Sequence, residues 1–165
     1  GFVCWVTSTG RVYPNATGHE RVTINAPRGG HMSFRTSVVR AVGGFDEQFV
    51  GNAMREETNF SLRVVEAGHH IVFEPRTTVV HLGLSTGGSR EFDRRQWYED
   101  FFANELYFYL KHFSRQFLPR FFARKVRAIL SCMFFYGFGR PAWVRTPWRG
   151  FAAGRRRFEA LRERR

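Results

Sequence analysis

Residues 55–68 read REETNFSLRVVEAG. Apolar residues recur at the four-then-three spacing of one helical face, and charged residues take the opposite side. Acidic residues at the start and a glycine after the last periodic position are typical of helix ends. The segment therefore predicts a helix that begins at Glu56 or Glu57 and ends at Gly68.

Strand and turn signals surround this helix. A second, short helix is predicted through Val42, capped by Thr36 or Ser37 and stopped by Gly43-Gly44. Four other segments have the composition of short strands or strand–loop units, and the last two of them flank a turn: residues 1–24, 31–34, 71–73 and 77–80. The pattern predicts a mixed α/β chain.

Charge divides the chain into two regions. The sequence has 26 Lys or Arg against 14 Asp or Glu, a formal net charge of +12. Residues 1–91 mix both signs, whereas residues 92–165 are rich in Arg, Phe and Trp. In the second region the spacing from Glu91 to Leu118 predicts a strongly amphipathic helix that Pro119 ends or kinks. Such a region could bind nucleic acid, an anionic membrane face or an acidic substrate, and charge alone leaves all three open.

Cysteine usage and apolar run length limit the class of protein. Cys4 and Cys132 stand far apart and form no CxxC pair, so we expect free thiols in a reducing compartment. The uncharged, largely apolar run at residues 128–139 is shorter than the roughly 20 residues of a spanning helix. No signal-peptide pattern opens the sequence. We expect a cytoplasmic protein, peripheral at the inner face of the membrane.

Two features could carry chemistry. Glu56 and Glu57 at a helix start face partial positive charge, stay ionised and can accept a proton, although acidic residues are also ordinary in a first helical turn. His81 ends a predicted strand and precedes a loop with Gly87-Gly88-Ser89-Arg90. Imidazole binds divalent metals and Gly-rich loops can cradle phosphate, but both features also occur as plain structure.

Five sequence landmarks follow one another along the chain. They are GGHMSFR at 29–35, VGGFDE at 42–47, EETNFSLR at 56–63, Ala67-Gly68, and VFEP at 72–75 with Val80-His81. Taken in order, they resemble the carboxy-terminal half of a family 2 glycosyltransferase with the GT-A fold, over about residues 11–109. The resemblance implies an α/β fold: the acceptor-side half of a GT-A domain over residues 1–91, followed by amphipathic helices over 92–165.

The resemblance also assigns roles around the acidic pair. The second acidic position of the family carries the catalytic base, which falls on Glu57, with Glu56 beside it. The family usually has Asp there, so Glu57 is a departure. Arg55 and Asn59 would line the acceptor side.

Further residues are implied to bind substrate or metal. Gly29, Gly30 and His31 stand where the family often shows Gly, a small residue and Asn, so His31 is a second departure. The loop that ends at Arg90 would close over the donor phosphates. His81 falls where relatives carry a His near the diphosphate and its metal.

The resemblance implies inverting transfer of a sugar from a nucleotide-sugar donor to a polysaccharide, a lipid-linked sugar or another glycan. The cofactor would be a divalent metal, Mg or Mn, held mainly by an Asp-x-Asp that this sequence lacks. We therefore expect the donor-binding half to precede Gly1 or to come from a partner chain.

One alternative function stays open. The fold could serve a non-catalytic basic module that binds an anionic membrane or nucleic acid. The acidic pair and His81 disfavour this alternative, because a binding module has no need of them, and nucleic acid is not the favoured partner. The basic amphipathic segment beyond Pro119 could lie at a membrane surface, or it could be a helix that docks on the missing half. The sequence does not separate these two.

Overall fold

The structure is a computed structural model that describes residues 3–80, 82, 93–136 and 140–163. It contains both helices and short strands, so the predicted mixed α/β class is confirmed. The chain forms two compact units. The first comprises Gly1–Glu47 and Glu56–Ser85, and the second comprises Gln48–Arg55 and Thr86–Arg165.

Two small antiparallel ladders form the strands of the first unit. β1 (Trp5–Val6) pairs with β2 (Val12–Tyr13), and β3 (Val22–Ile24) pairs with β4 (Ile71–Phe73). In the second ladder Thr23 lies opposite Val72. The strands predicted at 31–34 and 77–80 are wrong, because these residues are irregular and β4 pairs with β3 instead of with a following strand. A β-branched run becomes a strand only where a ladder partner is available.

Two helices complete the first unit, α1 (Thr36–Ala41) and α2 (Glu56–Glu66). Glycines with positive φ follow both helices, as predicted: 76° at Gly43, 69° at Gly44 and 85° at Gly68. The predicted cap at Thr36 or Ser37 is wrong, since Arg35 holds the cap position without a side-chain hydrogen bond.

Beyond the irregular segment Gln48–Arg55, the described part of the second unit is mainly helical. α3 (Arg94–His112) is followed by a single 3₁₀ turn (Arg115–Phe117), α4 (Leu118–Leu130), a π-helical turn (Ser131–Tyr136) and α5 (Pro141–Glu163). Pro119 lies in the first turn of α4, where a helix needs no N–H from that residue, and the preceding helix already ends at His112, so the prediction that Pro119 ends or kinks it is wrong. Among the described residues, no helix is long and apolar enough to cross a membrane.

α3 forms the centre of the second unit. Phe102, Tyr109, Phe121 and Phe151 belong to its core cluster, which α3, α4 and α5 share. The prediction that α3 is strongly amphipathic is wrong, since its buried residues include Asp100, Asn104 and Glu105. Polar groups are tolerated at buried positions only where they find partners, and here they bind the segment Gln48–Arg55 and residues of α4 and α5.

Candidate functional site

The acidic pair begins α2, where the sequence predicted it. Glu57 lies against the turn that contains Gly29. A Cβ added to Gly29 would come 2.6 Å from Oε1 of Glu57, which is closer than a real Cβ contact allows. The structure therefore brings these two predicted site residues together.

Glu56 stands in a cluster of carboxyl groups. Burial raises the pKa of Glu56, and the neighbouring charges of Glu57 and Asp46 raise it further. Like charges at close range favour the protonated form of one member. The start of α2 is thus a place where a proton can be held.

Three of the sequence landmarks pack together around α2. The fully buried ring of Phe60 stacks on Phe45 at a centroid distance of 4.6 Å and meets Phe34 edge to face at 4.8 Å. Arg63 of α2 donates hydrogen bonds to the carbonyl oxygens of Val42, at 2.8 Å, and Gly44. These contacts fix the loop after α1 and the loop before it against the helix that carries the acidic pair.

The other predicted site residues of the first unit lie in different surroundings. His31 is exposed, and its backbone N–H donates to the carbonyl of Arg28. A Cβ on Gly30 would meet no atom within 4 Å, so that position is open. Asn59 is fully buried in α2. The roles predicted for these three residues stay predictions.

Arg55 belongs to the second unit, where it pairs with Glu105 of α3. Its Nη2 lies 2.8 Å from Oε1 of Glu105, and Nζ of Lys125 lies 2.7 Å from Oε2. Burial opposes ionisation of Glu105, but Arg55 and Lys125 outweigh it and hold the pKa of the carboxyl below its ordinary value. Burial also lowers the pKa of Lys125, against the attraction of Glu105.

Sequence reasoning missed this charge triad. The sequence did contain a signal for the triad. Glu105 interrupts the apolar spacing of its helix, and the residues beside Glu105 on that helical face are aromatic. A charge at a core position predicts an oppositely charged partner. The partners themselves could not be read from the sequence, since Arg55 and Lys125 lie 50 and 20 residues away along the chain.

A polar network holds the segment Gln48–Arg55 within the second unit. Asn104 donates to the carbonyl of Val50 at 2.9 Å and to Oδ1 of Asn52 at 3.1 Å, and Asn52 donates to the carbonyl of Trp97 at 2.8 Å. Arg157 of α5 donates to Oδ1 of Asn104 at 3.0 Å. These bonds offset the strain of the positive φ angles at Ala53 and Arg55, 50° and 76°.

The predicted metal ligand cannot be placed, since His81 lies outside the described residues, as does Arg90 of the predicted phosphate loop. Within residues 3–80, 82, 93–136 and 140–163, no three His, Cys, Asp or Glu side chains form a group that could hold a metal ion. The described residues therefore give no donor set for the expected Mg or Mn.

The geometry of the first unit thus centres on the carboxyl groups at the start of α2, and that of the second unit on the buried triad. The two cysteines take no part in either, because both are buried free thiols, and burial raises the pKa of Cys132 to about 12.

In comparisons with known proteins, no family model, no curated protein and no solved structure matches this chain.

Proposed function

We propose that the chain is the acceptor-side part of an inverting glycosyltransferase of the family 2 type, with the GT-A fold. The donor would be a nucleotide sugar, and the acceptor a polysaccharide, a lipid-linked sugar or another glycan. One observation carries the proposal: Glu57 lies in the first turn of α2, and its carboxylate lies directly beside Gly29. The packing of Phe34 and Phe45 on Phe60 supports it, because it joins three landmarks of the resemblance.

In the proposed reaction Glu57 accepts the proton of the acceptor hydroxyl. The hydroxyl oxygen forms a bond to the anomeric carbon, and the bond between that carbon and the nucleotide diphosphate breaks. The diphosphate leaves with the electron pair. A carboxylate at a helix N-terminus suits the task, because the partial positive charge there favours the charged form of a carboxyl group.

Glu56 supports the base in this proposal. Burial together with Glu57 and Asp46 raises the pKa of Glu56, so this group holds a proton more readily than a free glutamate does. After transfer, Glu56 can take up the proton and return Glu57 to its ionised form. Glu57 and Glu56 are thus the proposed catalytic residues.

The donor side is proposed to lie outside this sequence. No Asp-x-Asp occurs in the chain, so the metal-binding half would be another segment of the natural polypeptide or a partner chain. A bound Mg or Mn would stabilise the departing diphosphate. The resemblance still proposes Arg55 and Asn59 for the acceptor side, Gly29, Gly30 and His31 as further substrate contacts, Arg90 for the donor phosphates and His81 for the metal.

The test is transfer by the complete natural polypeptide, or the complex that contains it, isolated from its source cell. Release of nucleoside diphosphate from a panel of nucleotide sugars is measured for the natural form and for Glu57→Gln. We expect Glu57→Gln to lower kcat by about 10²- to 10⁴-fold, because that is the usual contribution of a general base. Glu57→Asp should retain part of the activity, since it keeps the carboxylate.

Glu66→Gln is the matched control. It removes the same charge from the exposed last turn of α2, far along the helix from the acidic pair, and should leave kcat unchanged. A Glu57→Gln form that keeps normal transfer would exclude Glu57 as the base. Absence of transfer from every nucleotide sugar tested would favour the non-catalytic alternative.

A further inference from the structure

α4 carries a row of exposed apolar side chains. Phe122, Val126 and Leu130 are spaced four residues apart and are 36%, 47% and 45% exposed. Phe134, in the π-helical turn that follows, continues the spacing and is 65% exposed. The buried face of the same helix is formed by other residues, such as Phe121. The row is therefore additional to the core of the second unit.

The row is continuous with exposed residues of α5. The ring of Phe122 lies 5.2 Å from the ring of Phe151, and the ring of Trp148 lies 6.2 Å from the same buried ring. Trp148 is 57% exposed, and Val144, one turn earlier in α5, is 37% exposed. We call this surface the α4–α5 face; its apolar residues are Phe122, Val126, Leu130, Phe134, Val144 and Trp148.

Arginines border the α4–α5 face. Arg120 and Arg127 are exposed on α4 and lie seven residues apart, hence on one side of the helix, and Arg145 is exposed on α5 beside Val144. The charge is one-sided over a long stretch of sequence. Between Glu105 and Glu159 there are 12 Lys or Arg residues and no Asp or Glu.

We propose that the α4–α5 face binds the surface of an anionic phospholipid bilayer. The apolar residues would enter the boundary between headgroups and acyl chains, and the arginines would contact lipid phosphates. Trp148 and the phenylalanines are the side-chain types that this boundary favours. The inference does not rest on the proposed transfer reaction, since it uses different residues.

The same observations disfavour two other occupants. Cations and stacked aromatic rings strengthen binding to nucleic acid, but exposed aliphatic side chains such as Val126, Leu130 and Val144 add nothing to it. A second copy of this chain, packed face to face, would bring like charges together around the contact. A bilayer with anionic headgroups complements both the apolar and the cationic parts.

The test is co-sedimentation of the full 165-residue chain with vesicles of phosphatidylcholine, with or without phosphatidylserine, at low and high salt. We expect binding at least about tenfold stronger to the anionic vesicles, because several arginines contribute, and weaker binding as salt rises. A blue shift of tryptophan fluorescence should accompany binding. Inorganic phosphate alone should produce no such shift.

Two double variants distinguish binding through the α4–α5 face from non-specific hydrophobic adsorption to vesicles. Leu130→Ser combined with Trp148→Ser should weaken vesicle binding by about tenfold or more, because both apolar contacts are lost. The control is Val65→Ser combined with Val72→Ser, two residues of the first unit that are 38% and 42% exposed. It should bind as the natural chain does. All four positions are exposed, and a far-UV circular dichroism spectrum checks that each variant is folded.

Four results would overturn the proposal. They are equal binding to neutral and anionic vesicles, equal loss in the two paired variants, tighter binding to RNA or DNA than to anionic vesicles, and lipid-free self-association that the Leu130/Trp148 variant abolishes. Sedimentation velocity without lipid detects the last of these.

Discussion

At the residue scale, Glu105 shows how a charge is kept inside the second unit. Its side chain is 5% exposed, and both oxygens have cationic partners, Arg55 and Lys125. Lys125 also lies 5.4 Å from the ring centroids of Phe101 and Phe121, which form part of its surroundings. Removing one partner from such a group leaves the remaining charges buried without compensation.

We predict that Glu105→Ala lowers the free energy of unfolding by about 3–5 kcal/mol, because Arg55 and Lys125 lose their counter-charge. Urea denaturation measures the change. The matched control is Glu99→Ala on the same helix, whose partner Arg149 lies at 3.5 Å and is 62% exposed. The Glu99 side chain is 17% exposed, more than that of Glu105, and a pair with one exposed partner should contribute less than the buried triad. Equal losses in the two variants would contradict the assignment.

The pKa of Glu105 gives this prediction a pH dependence. Its folded-state pKa lies below the ordinary value, so the stabilisation is complete above the ordinary pKa of a glutamate and is lost as the pH falls through the folded-state pKa. The difference in stability between the natural chain and Glu105→Ala should therefore shrink in that acidic range. A difference that does not change with pH would exclude the ion pairs as its cause.

At the element scale, α3 and α5 approach closely because α5 carries Gly150 and Gly154. A Cβ at Gly150 would lie 2.5 Å from the carbonyl oxygen of Glu99, and one at Gly154 would collide with the carbonyl of Ala103. Both obstacles are backbone atoms, which cannot move aside as a flexible side chain would. The spacing of the two glycines places them on one side of α5, facing α3.

We predict that Gly150→Ala and Gly154→Ala each destabilise the chain by about 1–3 kcal/mol, since the helices must separate. The sign is diagnostic, because Gly→Ala in an unhindered helix stabilises by about 1 kcal/mol. Thermal unfolding followed by circular dichroism measures it. Ala152→Ser, on the exposed side of the same turn, should change little. A raised Tm for either glycine variant would contradict the close approach.

At the scale of the whole molecule, the charge is unevenly distributed. The stretch between Glu105 and Glu159 contributes 12 cations and no acidic residue, which equals the net charge of the entire chain. The rest of the sequence is therefore formally neutral. Such clustering produces a strong positive electrostatic potential around this stretch of the second unit. That potential attracts anionic surfaces.

We predict that the position of a cation, and not only the net charge, decides retention on a cation exchanger. A variant with Gln at Arg120, Arg127 and Arg145 should elute at lower salt than a variant with Gln at Arg11, Arg35 and Arg40. Both carry the same net charge, and all six arginines are exposed. The elution salt concentration is the measurement. Identical elution would show that the clustered charge has no local effect.

Local pattern was sufficient for the elements whose causes are local. The helix over residues 56–66 and the glycine stops at Gly43-Gly44 and Gly68 follow from spacing and from backbone freedom, and the structure has them where the pattern predicted. The strand at Ile71–Phe73 was also predicted, but its partner was not. Pairing depends on residues 22–24, which are distant in the chain, and no local signal identifies them.

For the candidate site, residue types and spacing identified the acidic pair at the start of α2, since a helix start is a local feature. That Gly29 lies beside Glu57, that Phe34 and Phe45 enclose Phe60, and that Arg55 pairs with Glu105 are products of tertiary folding. The sequence identifies charged groups that will need partners if they are buried. Only the folded backbone brings particular partners within a few ångströms of them. Tertiary structure also sets the pKa shifts, since burial raises the pKa of Glu56, whereas the cationic partners Arg55 and Lys125 hold the pKa of Glu105 below its ordinary value.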